Sequence, residues 1–299
     1  LTSVFSQEDP PSFEVVLADD GSTNETPQVL EMHADPRLRA IRHERNRGHI
    51  AAINEALSLA RGAFVARIDP DDRYRPHFIS EVCRILESHR DVGFVYGRAA
   101  LIDEHGVETG PITAAPHAAD FKGSESQRLR ERNFVSPPPS AAGREAWLEH
   151  APVPEGLAFN DWYFSVLIAR RYPFYFLDDV IADYRVHGAN HHTRISKDGS
   201  EERSIFWLLD RVFEPAEDGF PFEPDRDEVM RRVYSAHYLD LAEKYFGFGR
   251  NADARRCYLA AIRLRPAYLG EPGIARRFGA TVLGRRMYER TKALLGRGQ

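Results

Sequence analysis

Cysteine is scarce in this sequence, which has only Cys83 and Cys257 among 299 residues. Both lie in stretches with helical patterns and far from each other, so we expect reduced, buried thiols and no structural disulfide. No apolar run approaches the roughly 20 residues that a membrane-spanning helix needs. No secretory signal is recognisable either. These absences lead us to expect a cytoplasmic protein.

Two nucleotide-binding signatures are also missing. No G-x-G-x-x-G motif follows a predicted strand, which disfavours a dinucleotide-dependent oxidoreductase. No Gly-rich, basic phosphate loop is present, which disfavours a sugar nucleotidyltransferase. This second objection is the weaker one, because the sequence begins at Leu1 and we expect further residues to precede it.

Charge is distributed unevenly along the chain. The formal net charge is −5, but residues 250–299 hold 12 Lys and Arg against 3 Asp and Glu. The preceding part is therefore strongly acidic, which argues against nucleic acid as a partner. The preferred interpretation of the basic tail is a solvated helical face, and the alternative is peripheral contact with an anionic membrane at the inner face of the plasma membrane.

Strands and helices alternate over the first hundred residues. Apolar, β-branched runs predict strands, and apolar residues at helical spacing predict helices. The predicted strands cover residues 13–18, 38–42, 63–68 and 92–96, and the predicted helices cover residues 22–33, 49–61 and 76–89. We place the first helix N-cap at Ser22 or Thr23 and a C-cap at Gly62. The alternation predicts an α/β fold, a three-layer sandwich with a mostly parallel sheet.

The remaining chain has a different character. Residues 103–146, with three consecutive prolines, predict a loop region. From about residue 200 the pattern is helical throughout, so we predict a first domain over 1–199 and a helical domain over 200–299. Residues 236–266 resemble one tetratricopeptide-type helical hairpin, although a solenoid needs several copies.

Aspartates follow two of the predicted strands. Asp19 and Asp20 come after the first strand, and a D-P-D-D sequence with Asp69, Asp71 and Asp72 comes after the third. Ligands of open α/β sheets bind beyond the carboxyl ends of the strands. Three carboxylates in four residues repel one another unless a cation or hydrogen-bond donors offset them, and carboxylate oxygens hold hard dications. For an isolated D-P-D-D sequence, a solvated turn is the preferred interpretation.

The order of several motifs changes that preference. FEVVLADDGS, NRGHIAAINEALSLARGAFVARIDPDD, NDWYF and YRVHGANHH follow one another over the first 192 residues. Together they resemble the inverting family 2 glycosyltransferases of the GT-A fold, also called the nucleotide-diphospho-sugar transferase fold. The resemblance implies a transferase that takes a sugar from a nucleotide diphosphate sugar, with Mn²⁺ or Mg²⁺ bound at its DXD motif.

The resemblance also implies roles for individual residues on the donor side. Asp20 would accept a hydrogen bond from the pyrimidine of a UDP-sugar. Asp71 would lie near the ribose and the metal, and Asp72 would be the principal metal ligand. Asp69 occupies a donor-site position that varies between relatives. His187 matches a histidine that binds the metal or the diphosphate in some relatives.

A second group of positions follows from the same resemblance. Asn46, Gly48 and Asn54 would pack beside the nucleotide. Asp161 matches the position of the general base. A carboxylate at a helix N-terminus suits that role, because the helix favours its charged form; the alternative for Asp161 is a plain N-cap aspartate. Asn160 stands where the family usually has an acid, which removes a charge beside the base.

Two further points concern departures and alternatives. The family opens with a strand about 20 residues upstream of Leu1, so we expect that strand to lie outside the sequence. His187, His191 and His192 could instead form a zinc-like cluster, although Asp72 with one histidine around a hard ion fits the family better.

We therefore expect an inverting glycosyltransferase that acts in cell-surface polysaccharide or glycoconjugate synthesis on a saccharide or lipid-linked acceptor. The alternatives are a sugar nucleotidyltransferase and a non-catalytic protein that binds sugar nucleotides or serves as a scaffold.

Overall fold

A computed structural model describes residues 1–33, 35–110, 112–135, 137–186, 199–214 and 225–283. The chain divides into two compact units, Leu1–Asn190 and His191–Gln299. The domain boundary that we predict at 199/200 lies beside residues 187–198, which are outside the described ranges, and it stays a prediction.

The first unit contains the predicted alternation of strands and helices. Its strands are β1 (Val15–Asp19), β2 (Leu38–Arg42), β3 (Phe64–Ala66), β4 (Arg73–Tyr74), β5 (Phe94–Ile102), β6 (Phe121–Gly123), β7 (Ser140–Gly143) and β8 (Phe174–Arg185). Its helices are α1 (Thr2–Phe5), α2 (Thr26–Met32), α3 (His49–Leu59), α4 (Phe78–Ser88), α5 (Ser126–Glu131), α6 (Arg144–Leu148) and α7 (Asp161–Ile168). The prediction of a loop over 103–146 is wrong, because β6, α5, β7 and the start of α6 lie there.

The strands form two sheets. β1 and β2 pair in parallel, and a second sheet has the order β3-β7-β5-β8-β4, with β6 added on β8. In the second sheet only β5 and β8 run parallel, while the other four pairings are antiparallel. The α/β class is confirmed, but the sheet is mixed rather than mostly parallel. The reason is that the segment between β5 and β8 returns twice to the sheet as short strands.

Two predicted helix ends are wrong. α2 begins at Thr26, because the backbone N–H of Ser22 donates to the Asp19 carboxylate (2.9 Å) and keeps Ser22 in a turn. α3 ends at Leu59, and Ala60 already has an extended backbone, so Gly62 is not its C-cap. The start of α2 is decided by a contact outside the helix, which helix propensity does not report.

An apolar cavity borders the edges of the two sheets. Among the described residues β1 pairs only with β2, and β3 pairs only with β7. A cavity of about 410 Å³ is lined by residues of β1 and β3, with apolar side chains of α3 and α4. Unpaired strand edges accept a further strand.

The core beneath the D-P-D-D turn is tightly packed. Phe78 and Ile85 of α4 are fully buried against Val95 and Ile181 of the second sheet. The ring of Tyr74, two residues after the turn, stacks on Phe78 with 3.7 Å between ring centroids. Close-packed interiors have low compressibility and leave little room for displacement. This core therefore holds the end of β3 in place.

The second unit is helical in its described part, as predicted. Its helices are α8 (Ser200–Phe213), α9 (Arg226–Gly247), α10 (Asn251–Leu264) and α11 (Pro272–Leu283), with a 3₁₀ turn at Pro266–Gly270. α9 and α10 form the predicted hairpin, and Gly249 between them has φ 74°, which a side chain would disfavour. Tyr245, Cys257 and Tyr258 are buried where the helices meet.

The basic tail is only partly described. Arg276 and Arg277 are half-buried rather than fully exposed, and Arg277 donates to the carboxylate of Glu243 in α9. Arg285, Arg286 and Arg290, which we also predict to be exposed, lie outside the described residues. None of the helices in the described ranges combines the length and the apolar character needed to span a bilayer.

Candidate functional site

The turn after β1 holds two carboxylates in different surroundings. Asp19 is 3 % exposed, and its Oδ1 accepts the backbone N–H of Ser22. Hydrogen bonds from the side chain of Ser22 and then from its backbone, together with the nearby Arg42 guanidinium, outweigh burial and lower the pKa of Asp19. Asp20 points away from the sheet toward residues 43–48. The turn therefore presents one buried and one partly accessible acid.

Asp20 binds the start of α3. Its Oδ1 accepts the Arg47 N–H (2.8 Å) and its Oδ2 accepts the Gly48 N–H (2.8 Å). His43 Nδ1 lies 2.7 Å from Oδ1. Burial raises the pKa of Asp20, but these three donors outweigh burial and lower it below its usual value. The carboxylate thus joins the turn after β1 to the loop before α3.

The close approach of that loop requires glycine at position 21. Gly21 has φ 73°, and a Cβ there would lie 2.6 Å from the carbonyl carbon of Arg45. Asn46 Oδ1 also accepts the Gly48 N–H, at 3.1 Å. Asn46 and Gly48 therefore lie beside Asp20. This is where the resemblance expects a nucleotide, and their binding role stays a prediction.

Asn54 has a different environment from the one expected. Its side-chain amide donates to the Val153 carbonyl and accepts the Val153 N–H, both at 2.8 Å. Both polar groups of the amide are thus used to hold the segment before α7. The residue acts as a connector within the first unit, and the expectation that it packs on a nucleotide has no support from its contacts.

The turn after β3 is organised by Arg67. Its Nη2 donates to both carboxylate oxygens of Asp69 (2.6 and 2.8 Å), and its Nη1 donates to the side-chain oxygen of Asn160. Burial lowers the pKa of Arg67, but the Asp69 carboxylate outweighs it and raises that pKa. Because Asn160 directly precedes α7, one guanidinium connects the aspartate turn with the start of that helix.

Asp72 is the least satisfied acid of the turn. It is 8 % exposed, and its Oδ1 accepts the backbone N–H of Arg185 (2.8 Å). Its Oδ2 is buried without a hydrogen-bond partner among the described residues. Burial is the main cause that raises the pKa of Asp72 to about 7, and the neighbouring acids Asp71 and Asp69 add to it. A buried, unpaired carboxylate oxygen is a place for a cation or a proton.

Arg185 holds the backbone around Asp72. Its Nε donates to the Asp71 carbonyl (2.7 Å), and its Nη1 donates to the Asp103 carbonyl. The last residue of β8 therefore fixes the aspartate turn through both its backbone and its side chain. The carboxylate of Asp71 is half-buried beside this contact.

The turn satisfies one requirement of a divalent cation site and lacks another. Within the described residues, no group of three or more His, Cys, Asp or Glu is arranged to hold a metal ion. Mg²⁺ in nucleotide sites, however, commonly binds one or two carboxylates and completes its shell with phosphate and water oxygens. The unpaired Oδ2 of Asp72 and the adjacent Asp71 fit that smaller donor set. His187 lies outside the described residues, and so do His191 and His192.

Asp161 is the first residue of α7, and Asn160 is its N-cap residue. Asp161 is thus a first-turn acid rather than the N-cap residue, and its role as the general base stays a prediction. Asp161 is half-buried, and its Oδ2 accepts a hydrogen bond from the Asn133 side chain (2.8 Å). The charge of a carboxylate in the first turn is favoured by the helix N-terminus. Asp161 thus keeps one oxygen that the Asn133 bond leaves unused.

Tyr184 connects Asp161 electrostatically with the aspartate turn. Burial raises the pKa of the Tyr184 phenol, and the charges of Asp72, Asp69, Asp161 and Asp71 raise it further, in that order. Asp161 and Asp69 also both act on the charge of Arg67. Because these interactions fall off with distance, Asp161 and the three aspartates surround one region of the first unit.

Four residues that bond to the predicted site residues are themselves absent from our predictions. They are His43, Arg67, Asn133 and Arg185. Arg67 carries a visible signal, because it is a charged residue inside the apolar run AFVARI. The other three have partners distant in sequence and carry no comparable signal.

Comparison with known proteins adds information at the level of family and fold. The family model described as glycosyl transferase family 2 matches residues 1–150. An uncharacterized glycosyltransferase of Methanocaldococcus jannaschii, MJ1057, is 24 % identical over 188 residues, which cover 61 % of this chain and 63 % of that protein. The chain thus aligns with a little under two thirds of that relative.

Two solved structures share the fold. The crystal structure of S. aureus TarS 1-349 has a TM-score of 0.65 and 18 % identity, and the match covers 100 % of this chain and 86 % of that one. The mannosyltransferase PcManGT from Pyrobaculum calidifontis, solved in complex with GDP-Man and Mn²⁺, has a TM-score of 0.57 and 17 % identity. That match covers 94 % of this chain and 78 % of PcManGT.

Proposed function

The chain belongs to glycosyltransferase family 2 and has the GT-A fold with a C-terminal helical region, and from this premise we propose an inverting transfer with Asp161 as the general base. The protein is a glycosyltransferase enzyme. The proposed reaction moves a sugar from a nucleotide diphosphate sugar to a hydroxyl group of an acceptor. One observation carries the proposal: Arg67 bonds to Asp69 on one side and to Asn160, beside Asp161, on the other.

The proposed step needs one proton acceptor. Asp161 takes the proton of the acceptor hydroxyl while that oxygen attacks the anomeric carbon from the face opposite the leaving group. A bond forms between the acceptor oxygen and the anomeric carbon, and the bond from that carbon to the diphosphate breaks. The half-buried carboxylate has an oxygen for this proton, because Asn133 occupies only the other one.

The residues proposed to hold a divalent cation are Asp72 and Asp71. The unpaired Oδ2 of Asp72 supports this assignment, and so does the Mn²⁺ bound in PcManGT. When bound, Mn²⁺ or Mg²⁺ would offset the charge of the diphosphate leaving group. His187 stays a predicted third ligand. Arg67 would hold Asp69 in place, so that the conformation of the aspartate turn is kept when the donor binds.

The donor and the acceptor are assigned by class only. We propose that Asp20, Asn46 and Gly48 bind the nucleotide, with UDP-sugars as the first choice. PcManGT was solved with GDP-Man, so the GT-A fold does not restrict the base to a pyrimidine. We also propose a saccharide or lipid-linked acceptor of cell-surface polysaccharide synthesis, and peripheral contact of the basic tail with the inner face of the plasma membrane. Sedimentation with vesicles of increasing anionic lipid content tests the membrane contact.

Isothermal titration with UDP and GDP, in Mn²⁺ and in EDTA, tests the assignment of the site. We expect binding of at least one nucleotide that depends on the metal, followed by release of that nucleoside diphosphate from a matching sugar nucleotide. Formation of a sugar nucleotide from a nucleoside triphosphate and a sugar phosphate would instead identify a nucleotidyltransferase. Binding without any turnover of sugar nucleotides would support the non-catalytic alternative.

A further inference from the structure

His43 is a buried imidazole between two carboxylates. The residue is 7 % exposed and follows β2 directly. Its Nδ1 lies 2.7 Å from Asp20 Oδ1, and its Nε2 lies 2.9 Å from Glu55 Oε2. Both distances are those of hydrogen bonds, and a carboxylate can only accept. A ring protonated on both nitrogens donates to both carboxylates, so the two acids favour the imidazolium form of His43.

The surroundings of His43 combine two acids and one base. Asp20 faces it from the turn after β1, Glu55 from α3, and Arg47 from the loop between them. The Arg47 guanidinium lies 3.0 Å from the same Glu55 oxygen and 3.3 Å from His43 Nε2. The hydrogen bonds to Asp20 and then to Glu55 raise the pKa of His43, while burial and the Arg47 charge oppose them. The hydrogen bonds to the two acids outweigh burial and the Arg47 charge, so the pKa of His43 is raised.

The contact with Asp20 reaches the loop that would bind the nucleotide. Asp20 Oδ1, the oxygen that faces His43, also accepts the Arg47 N–H, and Oδ2 accepts the Gly48 N–H. The two amides belong to the loop immediately before α3. A positive charge on His43 fixes the orientation of the Asp20 carboxylate, and hence the position of that loop. Glu55 holds the ring from the other side.

We propose that His43 is a positioning residue of the nucleotide site, which clamps Asp20 against the loop at Arg47 and Gly48 and makes nucleotide affinity depend on pH. This inference rests on the proposed function, since it assigns the regulation of the same site. The charged ring donates to both acids, whereas the neutral ring donates to only one of them, so the clamp is strongest at low pH and weakens as the pH rises above 6.5 through the raised pKa of His43. Nucleotide affinity then falls as the solution becomes more alkaline.

The first experiment measures nucleoside diphosphate binding by isothermal titration at saturating Mg²⁺ from pH 6 to pH 9. The variants are His43→Asn, which keeps a donor near Asp20 but cannot ionise, and His77→Asn as the matched control. His77 is a histidine at 3.0 Å from a carboxylate, Asp179, away from the site. We expect the affinity of the wild type and of the control to fall about tenfold more across this range than that of His43→Asn, the scale of one charge-assisted hydrogen bond. Ionisation of the nucleotide or of the aspartate turn affects all three proteins alike.

The second experiment needs no nucleotide. Hydrogen exchange of the Arg47 and Gly48 amides is followed in the same three proteins at pH 6.5 and pH 8.5, after correction for the intrinsic rate. We expect protection that weakens at pH 8.5 in the wild type and in His77→Asn, and weak protection at both values in His43→Asn. Equal protection in all three proteins overturns the clamp. If the amides behave as expected but no nucleoside diphosphate binds the wild type, the clamp stands and the proposed function fails.

Discussion

The two aspartate turns of the first unit show how the same residue type acquires opposite properties. The carboxylates after β1 are compensated by neighbouring groups: Ser22 bonds to Asp19 Oδ1, the Arg42 guanidinium lies 3.3 Å from Asp19 Oδ2, and Arg47, Gly48 and His43 bond to Asp20. The carboxylate of Asp72 after β3 receives one donor and keeps a buried oxygen unpaired. Accordingly, the pKa values of Asp19 and Asp20 are lowered, and that of Asp72 is raised to about 7.

The turn after β1 is thus compensated within the fold, whereas the turn after β3 keeps a buried oxygen of Asp72 unpaired. A satisfied carboxylate stabilises the fold, whereas a buried unpaired one destabilises it until a cation or proton arrives. Four substitutions or conditions test the contrast, taken from the largest expected effect to the smallest.

The largest effect is expected at Asp161, which follows Asn160, the residue that Arg67 connects with the turn after β3. Asp161→Asn keeps the size of the side chain but cannot accept a proton, so we expect transfer to fall by a factor of about 10²–10⁴ with nucleotide binding preserved. Rates of sugar transfer and titration of the nucleotide are measured on the same preparation. Asp227→Asn, in the first turn of α9, is the matched control, because it removes a first-turn acid from a helix of the second unit. Transfer at the wild-type rate in Asp161→Asn would rule out the proposed base.

The next effect concerns the cation at the aspartate turn. UDP or GDP with Mn²⁺ at a hundredfold excess over the dissociation constant is expected to stabilise the wild type by about 2.7 kcal/mol relative to EDTA. Asp72→Asn is expected to lose the metal-dependent part, while Asp91→Asn, an acid paired with Lys122 at the surface, keeps it. Thermal unfolding with and without Mn²⁺ gives the comparison. An unchanged response to Mn²⁺ in Asp72→Asn would remove Asp72 from the cation site.

The pH dependence of the metal-free protein sharpens the contrast further. The folded pKa of Asp72 is raised from 3.8 to about 7, so its contribution to stability is fully present below pH 3.8 and is lost as the pH rises to about 7. We expect Asp72→Asn in EDTA to lose less stability than the wild type between pH 5 and pH 8, by about 1–2 kcal/mol. Urea unfolding at several pH values measures this. Parallel curves for the two proteins would contradict the raised pKa.

The smallest effect is expected at the turn after β1, which holds Asp19 and Asp20. Asp20→Asn replaces one of the two acceptor oxygens with an NH₂ donor. The amides of Arg47 and Gly48 can then no longer each donate to an oxygen of their own. We expect a loss of about 1–2 kcal/mol in the free energy of unfolding, with or without Mn²⁺. The result to compare is that of Asp72→Asn in EDTA at pH 8, which we expect to be more stable than wild type. If both variants shift in the same direction, the two turns do not differ as the structure indicates.

Local sequence was a reliable guide to the elements that carry the site. β2 has the predicted bounds, and β1, β3, α3 and α4 lie within two or three residues of theirs. Their hydrophobic periods are long or regular enough to identify them. The placement of Asp20, Asp72 and Asp161 at element ends also follows from local pattern. The mixed sheet does not, because short strands such as β6 and β7 have no period of their own and form only on the strands beside them.

What the sequence by itself determined is thus the order of the main elements up to β5, the positions of the acids at their ends, and a family resemblance that the comparison with known proteins confirms. Only the tertiary structure decided how each acid is satisfied. Arg67 meets Asn160 across 93 residues, and Asp72 meets Arg185 across 113. Such partners are brought together by packing of the sheet and helices, and hydrogen bonds depend on distances of a few tenths of an ångström. The chemistry of a carboxylate is set by those neighbours, so an Asp-Asp pair has lowered pKa values after β1, whereas Asp72 of the pair after β3 has a raised one.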